Sequence, residues 1–217
     1  MRVFDRNFIR ADGISRKATG VSRSSKHARA AMCVPDLGEG EGTFRLFVEG
    51  DVLFDEMIAA IERATRDIRM ESYIFAADEV GARFVAALAE KARAGLDVRL
   101  HLDAFGAGQR NFRRLRHELK QAGVRFRWFR PFSLLHPLRY LQRNHRKLLV
   151  VDGREAFLGG FNIRRLNSRR LHGETRQRDT HVRVAGPLVE LAVRHFERLW
   201  LDAGQLPASA IADDTKG

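Results

Sequence analysis

Residues 143–152 read RNHRKLLVVD, and residues 159–162 read GGFN. The apolar run that follows Lys147 predicts a buried strand over 147–151. Asp152-Gly153 supplies a tight turn, and residues 156–158 return as a short second strand. A strand that starts just after His145 holds its ring at a sheet end. Lys147, two residues on, then shares a face with it.

Outward from this stretch, strand and helix patterns alternate. Residues 43–48 and 68–75 read as strands, with Asp51 capping a helix between them that carries Leu53, Phe54, Met57, Ile58 and Ile61. Asp78 caps a second helix, with Val80, Phe84, Val85 and Leu88 on its apolar face and Gly95 at its end. Residues 96–102 and 124–129 are further strands, and a third helix spans 110–122. Residues 130–144, with Pro131 and Pro137, read as loop with short helix. Residues 180–184 form another strand. Gly186-Pro187 opens a last helix with Leu188, Leu191, Ala192, Phe196 and Leu199 on one face. The fold class is therefore α/β, a mixed β-sheet sandwiched by helices in a single domain.

That domain spans 41–203. Residues 1–40 read as a basic flexible arm, with eight Lys or Arg before Val34 against Asp5 and Asp12. Residues 204–217 are a C-terminal tail. The single cysteine, Cys33, excludes an internal disulfide framework. No apolar run approaches the roughly 20 residues of a spanning helix. The net charge of +12 implies an anionic partner: a lipid surface, nucleic acid or both.

The chemistry of the motif suits phosphodiesters. A neutral imidazole at His145 can attack phosphorus and form a phosphohistidine, dividing one displacement into two. A carboxylate on the other ring nitrogen would fix the tautomer, and Asp179 is the candidate. The Lys147 ammonium can neutralise a phosphate oxygen as charge builds. Asn162 can donate an amide hydrogen to the same phosphate, and Gly159 and Gly160 leave room for it. Asp152 reads as structural, bonding local amides at the strand end. Glu71 and Asp103 end or interrupt strands and either face the site or serve as strand-end polar residues. His101 with Asp103 is too small a set for a metal. No metal and no cofactor is expected.

The spacing H-x-K-x-x-x-x-D, with Gly-Gly-x-Asn behind it, resembles the phospholipase D superfamily. The likeness extends to residues 44–51 (FRLFVEGD), to ESYIF at 71–75 ahead of Asp78 and Gly81, and to RDTHV at 178–182 ahead of Gly186-Pro187. Over residues 43–201 the chain looks like the amino-terminal half of bacterial cardiolipin synthases. The resemblance implies transfer of a phosphatidyl group from phosphatidylglycerol, an anionic phospholipid, without a metal. It places the chain peripherally on the cytoplasmic face of a bacterial membrane, where residues 132–141 could dip into the interface.

Members of this type carry two such motifs, one histidine acting as nucleophile and the other as acid. Here there is one, and no second H-x-K occurs in the 217 residues. The resemblance thus implies a homodimer or pairing with a second half. Two rivals stay open: a dimeric single-motif nuclease acting on nucleic acid, and a non-catalytic half-enzyme.

Overall fold

The computed structural model describes residues 43–108, 112–131 and 143–204, with side chains as far as Leu201. The expected arm (1–40), the expected interfacial loop (132–141) and all of the expected tail beyond Gly204 lie outside these residues.

The elements follow in the order β1 (Phe44–Phe47), α1 (Gly50–Arg63), β2 (Asp67–Ser72), α2 (Glu79–Arg93), β3 (Asp97–Asp103), α3 (Arg113–Gln121), β4 (Arg125–Phe129), β5 (Leu148–Val151), β6 (Glu155–Gly159), α4 (Arg169–His172), β7 (His181–Ala185) and α5 (Leu188–Gly204). All seven strands join one sheet in the order β1-β7-β6-β5-β2-β3-β4. β2, β3 and β4 are parallel, as crossover helices require, and the remaining neighbours are antiparallel. The motif strand β5 is the central one. It runs against β2, with Leu148 opposite Glu71. The carboxyl ends of β2 and β3 therefore converge on the segment that enters β5, the edge where open α/β sheets place their ligands.

Alternation sets the two faces. Ile68 and Met70 of β2, Val98, Leu100 and Leu102 of β3, and Leu149 and Val151 of β5 pack with α1 and α2 in the larger core. Leu148 and Val150 point the other way, towards Val189, Phe196 and Trp200 of α5. The β2–β4 part of that second face is charged. Arg69 and Arg99 both reach Glu197 of α5, at 2.8 and 2.9 Å, and Arg127 lies 4.5 Å over the Trp200 ring. α5 is thus seated by apolar burial over β5–β7 and by ion pairs over β2–β3. This is the expected mixed sheet between helices.

Three local expectations need correction. α5 buries the stripe Val189, Phe196 and Trp200, whereas Leu188 and Leu191 are 56% and 45% exposed. The true face is turned by about one residue from the one read in the sequence, because Trp200 fills the gap over β4. Asp51 does not cap α1. The helix starts earlier, with Glu49 at its cap position; Asp51 accepts from the Arg170 amide at 3.0 Å instead. β2 stops at Ser72, three residues short of Phe75, because the Ser72 hydroxyl turns back onto the Ile74 carbonyl at 2.7 Å. By contrast, the Asp78 side chain caps α2 as expected, accepting from the Val80 and Gly81 amides at 3.1 Å.

Candidate active site

Along Arg143–Lys147 the side chains divide between the two sides of the sheet: Asn144 and Arg146 turn to Glu71 on the α5 side, and His145 and Lys147 meet each other on the other. The α5 side is fully committed. Glu71, whose side chain is buried, accepts from Asn144 Nδ2 at 3.0 Å and from Arg146 Nη2 at 2.7 Å. Asp103 accepts from the Asn144 amide at 2.9 Å and from Arg143 at 3.3 Å, while its other bonds close the turn at Phe105 and Gly106. Both flanking residues of His145 are therefore pinned by one carboxylate. Such charge-assisted bonds in a buried setting fix backbone position strongly.

His145 itself is exposed, and Lys147 is 6% exposed. The Lys147 ammonium lies 3.1 Å from His145 Nδ1 and donates to the His145 carbonyl at 2.8 Å. Burial holds Lys147 below its ordinary ammonium range; the nearby charge of Asp179 opposes this and that of Arg164 adds to it. The Tyr73 ring lies 4.6 Å from the His145 ring and 5.4 Å from Lys147 Nζ.

Asn162 accepts from the Ile74 amide at 3.2 Å through Oδ1, which orients the side chain and leaves its NH2 group as a donor. Gly160 donates to the Thr180 carbonyl at 2.8 Å. A Cβ on Gly160 would overlap the Asp179 carboxylate, and one on Gly159 would strike the Thr180–His181 backbone. The two glycines thus let the segment bearing Asp179 close down on the Asn162 loop.

Asp152 stands at the far end of β5. Its carboxylate accepts from the amides of Thr65 (3.0 Å), Arg66 (2.8 Å) and Asp67 (3.1 Å) and from the Thr65 hydroxyl (2.9 Å). Burial tends to raise its pKa, but those donors together hold it below the usual carboxylate range.

Comparison with known proteins gives the family of the chain. Residues 57–200 match the family described as "Cardiolipin synthase, PLD-like domain". The chain belongs to this phospholipase D-like family. A cardiolipin synthase of Clostridium perfringens is 38% identical over 173 residues, covering 79% of this chain and 35% of that protein. One from Listeria monocytogenes is 39% identical over 161 residues, covering 73% and 33%. The chain therefore spans about a third of the length of these curated relatives. Among solved structures, the phospholipase D family member Nuc from Salmonella typhimurium superimposes with a TM-score of 0.57 at 22% identity, covering 74% of this chain and 95% of that one. NucT from Helicobacter pylori gives 0.56 at 14%, covering 75% and 98%. At these identities the likeness concerns the fold.

Within this phospholipase D-like site, the structure brings His145, Lys147, Gly159, Gly160, Asn162 and Asp179 to one edge of the sheet. It leaves Asp152 at the other. Asp179 makes no hydrogen bond to His145; its Oδ1 accepts from its neighbour, the Thr180 amide, at 2.7 Å. Glu71 and Asp103 lie behind the motif segment rather than in front of it. Among the described residues no group of three or more potential metal ligands occurs. Sequence reasoning missed Asn144, Arg146 and Tyr73. The alternation around His145 was the available signal for the first two.

Two further histidines are sealed in. His101, between Phe129 and Trp200, and His181, beside Phe161, are 1% and 2% exposed, and neither has a hydrogen-bond partner for its ring nitrogens among the described residues. Burial pushes each down to about 4. The unfolded chain takes up these protons near pH 6.5 and the folded chain refuses them, so stability is full above about pH 6.5 and is lost as pH falls towards 4. Over that interval the loss is on the order of 3 kcal/mol for each histidine. His101→Leu is expected to flatten the decline in Tm between pH 7 and pH 4.5. Parallel declines in variant and wild type would show that His101 contributes nothing to acid sensitivity.

Proposed function

We propose that this chain supplies one half-site of a phosphatidyltransferase of the cardiolipin synthase type, acting on phosphatidylglycerol at the surface of an anionic bacterial membrane. The observation that carries the reading is the exposed His145 imidazole, held beside the buried Lys147 ammonium on a segment locked from behind by Glu71 and Asp103. That is a preorganised nucleophile with a cation at hand for the developing charge.

In the first step the His145 lone pair forms a bond to phosphorus. The bond from phosphorus to the leaving glycerol oxygen breaks, and that oxygen takes a proton from an acid. Lys147 turns from the ring to a non-bridging oxygen, and the Asn162 NH2 group donates to another. In the second step an acceptor hydroxyl attacks phosphorus, gives its proton to the same acid–base group, and releases His145. One histidine cannot carry the phosphatidyl group and protonate the leaving oxygen at once. The acid therefore comes from a second motif, in another copy of this chain or in a partner half. The net charge of +12 favours approach to an anionic membrane surface. Among the described residues no helix is long and apolar enough to cross a membrane.

The test is turnover of phosphatidylglycerol vesicles by the chain over a range of protein concentrations, with and without EDTA. Specific activity is expected to rise with concentration as copies pair, and to be unchanged by the chelator, since Lys147 and Asn162 provide the charge stabilisation. A complete, metal-reversible loss in EDTA would contradict the mechanism. Cleavage of plasmid DNA without any lipid turnover would contradict the substrate.

A further inference from the structure

The loop after Asn162 carries a run of arginines, and one differs from the rest. Arg165 pairs with Glu79, Arg169 with Glu174, Arg170 with Asp55, Arg176 with Glu49, and Arg178 with Glu49. Arg164 pairs with no carboxylate among the described residues. Its guanidinium donates to two neutral amide oxygens, Asn167 Oδ1 at 3.1 Å and Gln177 Oε1. These bonds aim the group without cancelling its charge.

Its placement is equally specific. Ile163 is clamped to the strand end by backbone bonds to Ile74 (3.1 Å) and Ala76 (2.8 Å), so Asn162 and Arg164 flank a fixed residue. Gln177 is tied to the same loop through Leu166 (2.7 Å) and Asn167 (2.8 Å). Two residues further on, Asp179 rests against Gly160. Arg164 thus follows Asn162 on a backbone fixed beyond the carboxyl end of β2, with its guanidinium held by Asn167 and Gln177. After burial and against Asp179, its charge contributes to holding the Lys147 ammonium below its ordinary range. A guanidinium with no carboxylate partner among the described residues, set two positions after Asn162, adds positive charge to the site that a bound anion would offset.

We propose that Arg164 is a phosphate-binding residue of this site, sharing with Lys147 and Asn162 the non-bridging oxygens of one bound phosphate group. The proposal rests on the reading of His145, Lys147 and Asn162 as a phosphodiester site and adds a second cation to it. A planar fork of donors suits two oxygens of a tetrahedral phosphate better than a point charge does.

The test uses the whole chain and inorganic phosphate as the probe, with binding followed by NMR titration. Wild type is expected to bind one phosphate at the site. Arg164→Gln is expected to weaken binding by about tenfold or more, the usual effect of losing a charge-assisted bond. Arg165→Gln removes the same net charge from a residue paired with Glu79 and is expected to change binding less than about twofold. Arg164→Lys, which keeps the charge but not the fork, is expected to recover part of the affinity and guards against a folding defect in the glutamine variant. Equal weakening by Arg164→Gln and Arg165→Gln would overturn the proposal, reducing the effect to general charge. So would unchanged binding in Arg164→Gln when Lys147→Gln abolishes it, or two independent phosphates, one lost in each variant. Absence of phosphate binding by the wild-type chain would overturn both this assignment and the site on which it rests.

Discussion

Replacing His145 with alanine is expected to lower phosphatidyl transfer by at least about four orders of magnitude, the scale seen when a covalent nucleophile is removed. The fold should be unaffected. The ring is exposed, its partners among the described residues are Lys147 and Tyr73, and the backbone on either side is held by Glu71 and Asp103 rather than by the imidazole. Tm should therefore match wild type within about 1 °C, on the reasoning that surface substitutions change stability little. Lys147→Ala should also lose two to three orders of magnitude in rate, roughly the worth of one preorganised donor, but with some loss of stability because the side chain is buried. A His145→Ala protein that is folded and retains substantial activity would rule out His145 as the nucleophile.

Asp152→Ala is expected to produce the largest stability effect, on the order of 3–5 kcal/mol. The substitution leaves the amides of Thr65, Arg66 and Asp67 and the Thr65 hydroxyl without their shared acceptor at a buried junction. Asp152→Asn keeps one carbonyl oxygen and should cost less. In both, the rate at temperatures well below the transition should stay near wild type, because the carboxylate lies at the opposite end of β5 from His145. The pH dependence has a definite sign. Asp152 is held below the ordinary carboxylate range, so its contribution is present above about pH 4 and disappears as pH falls through its lower folded value. Denaturant melts at pH 7 and pH 3 should therefore separate wild type from Asp152→Asn at the first pH and bring them closer at the second. A variant with normal stability and no activity would move Asp152 into the reacting machinery.

Much of the fold was legible because it is written in local periodicity. The apolar run of β5, the glycine-terminated helix α2 and the turn at Asp152-Gly153 each follow from short-range rules, and all occur as read. The stripe of α5 was misread because two registers of a helix are nearly equally apolar there. Only the position of Trp200 over β4 decides between them, and that is a tertiary fact. The front of the site was legible for the same reason as β5, since His145 and Lys147 share a face by alternation. Its back was not. That Glu71 and Asp103 secure Asn144 and Arg146 depends on β5 lying beside β2, and β2 beside β3. Strand order is not encoded in any local pattern. Which of the six arginines between 164 and 178 lacks a carboxylate partner among the described residues is likewise decided only by the fold.

The proposed mechanism turns on one covalent bond, between His145 and phosphorus. The direct measurement is to mix the chain at high concentration with phosphatidylglycerol vesicles, quench within the first turnovers under alkaline conditions, digest, and search the peptide containing residues 143–152 by mass spectrometry. The expected result is a phosphatidyl adduct on the His145 imidazole, absent from His145→Ala and chased away by added alcohol acceptor. Steady transfer of phosphatidyl groups with no adduct on that peptide, or with the adduct on another residue, would contradict it.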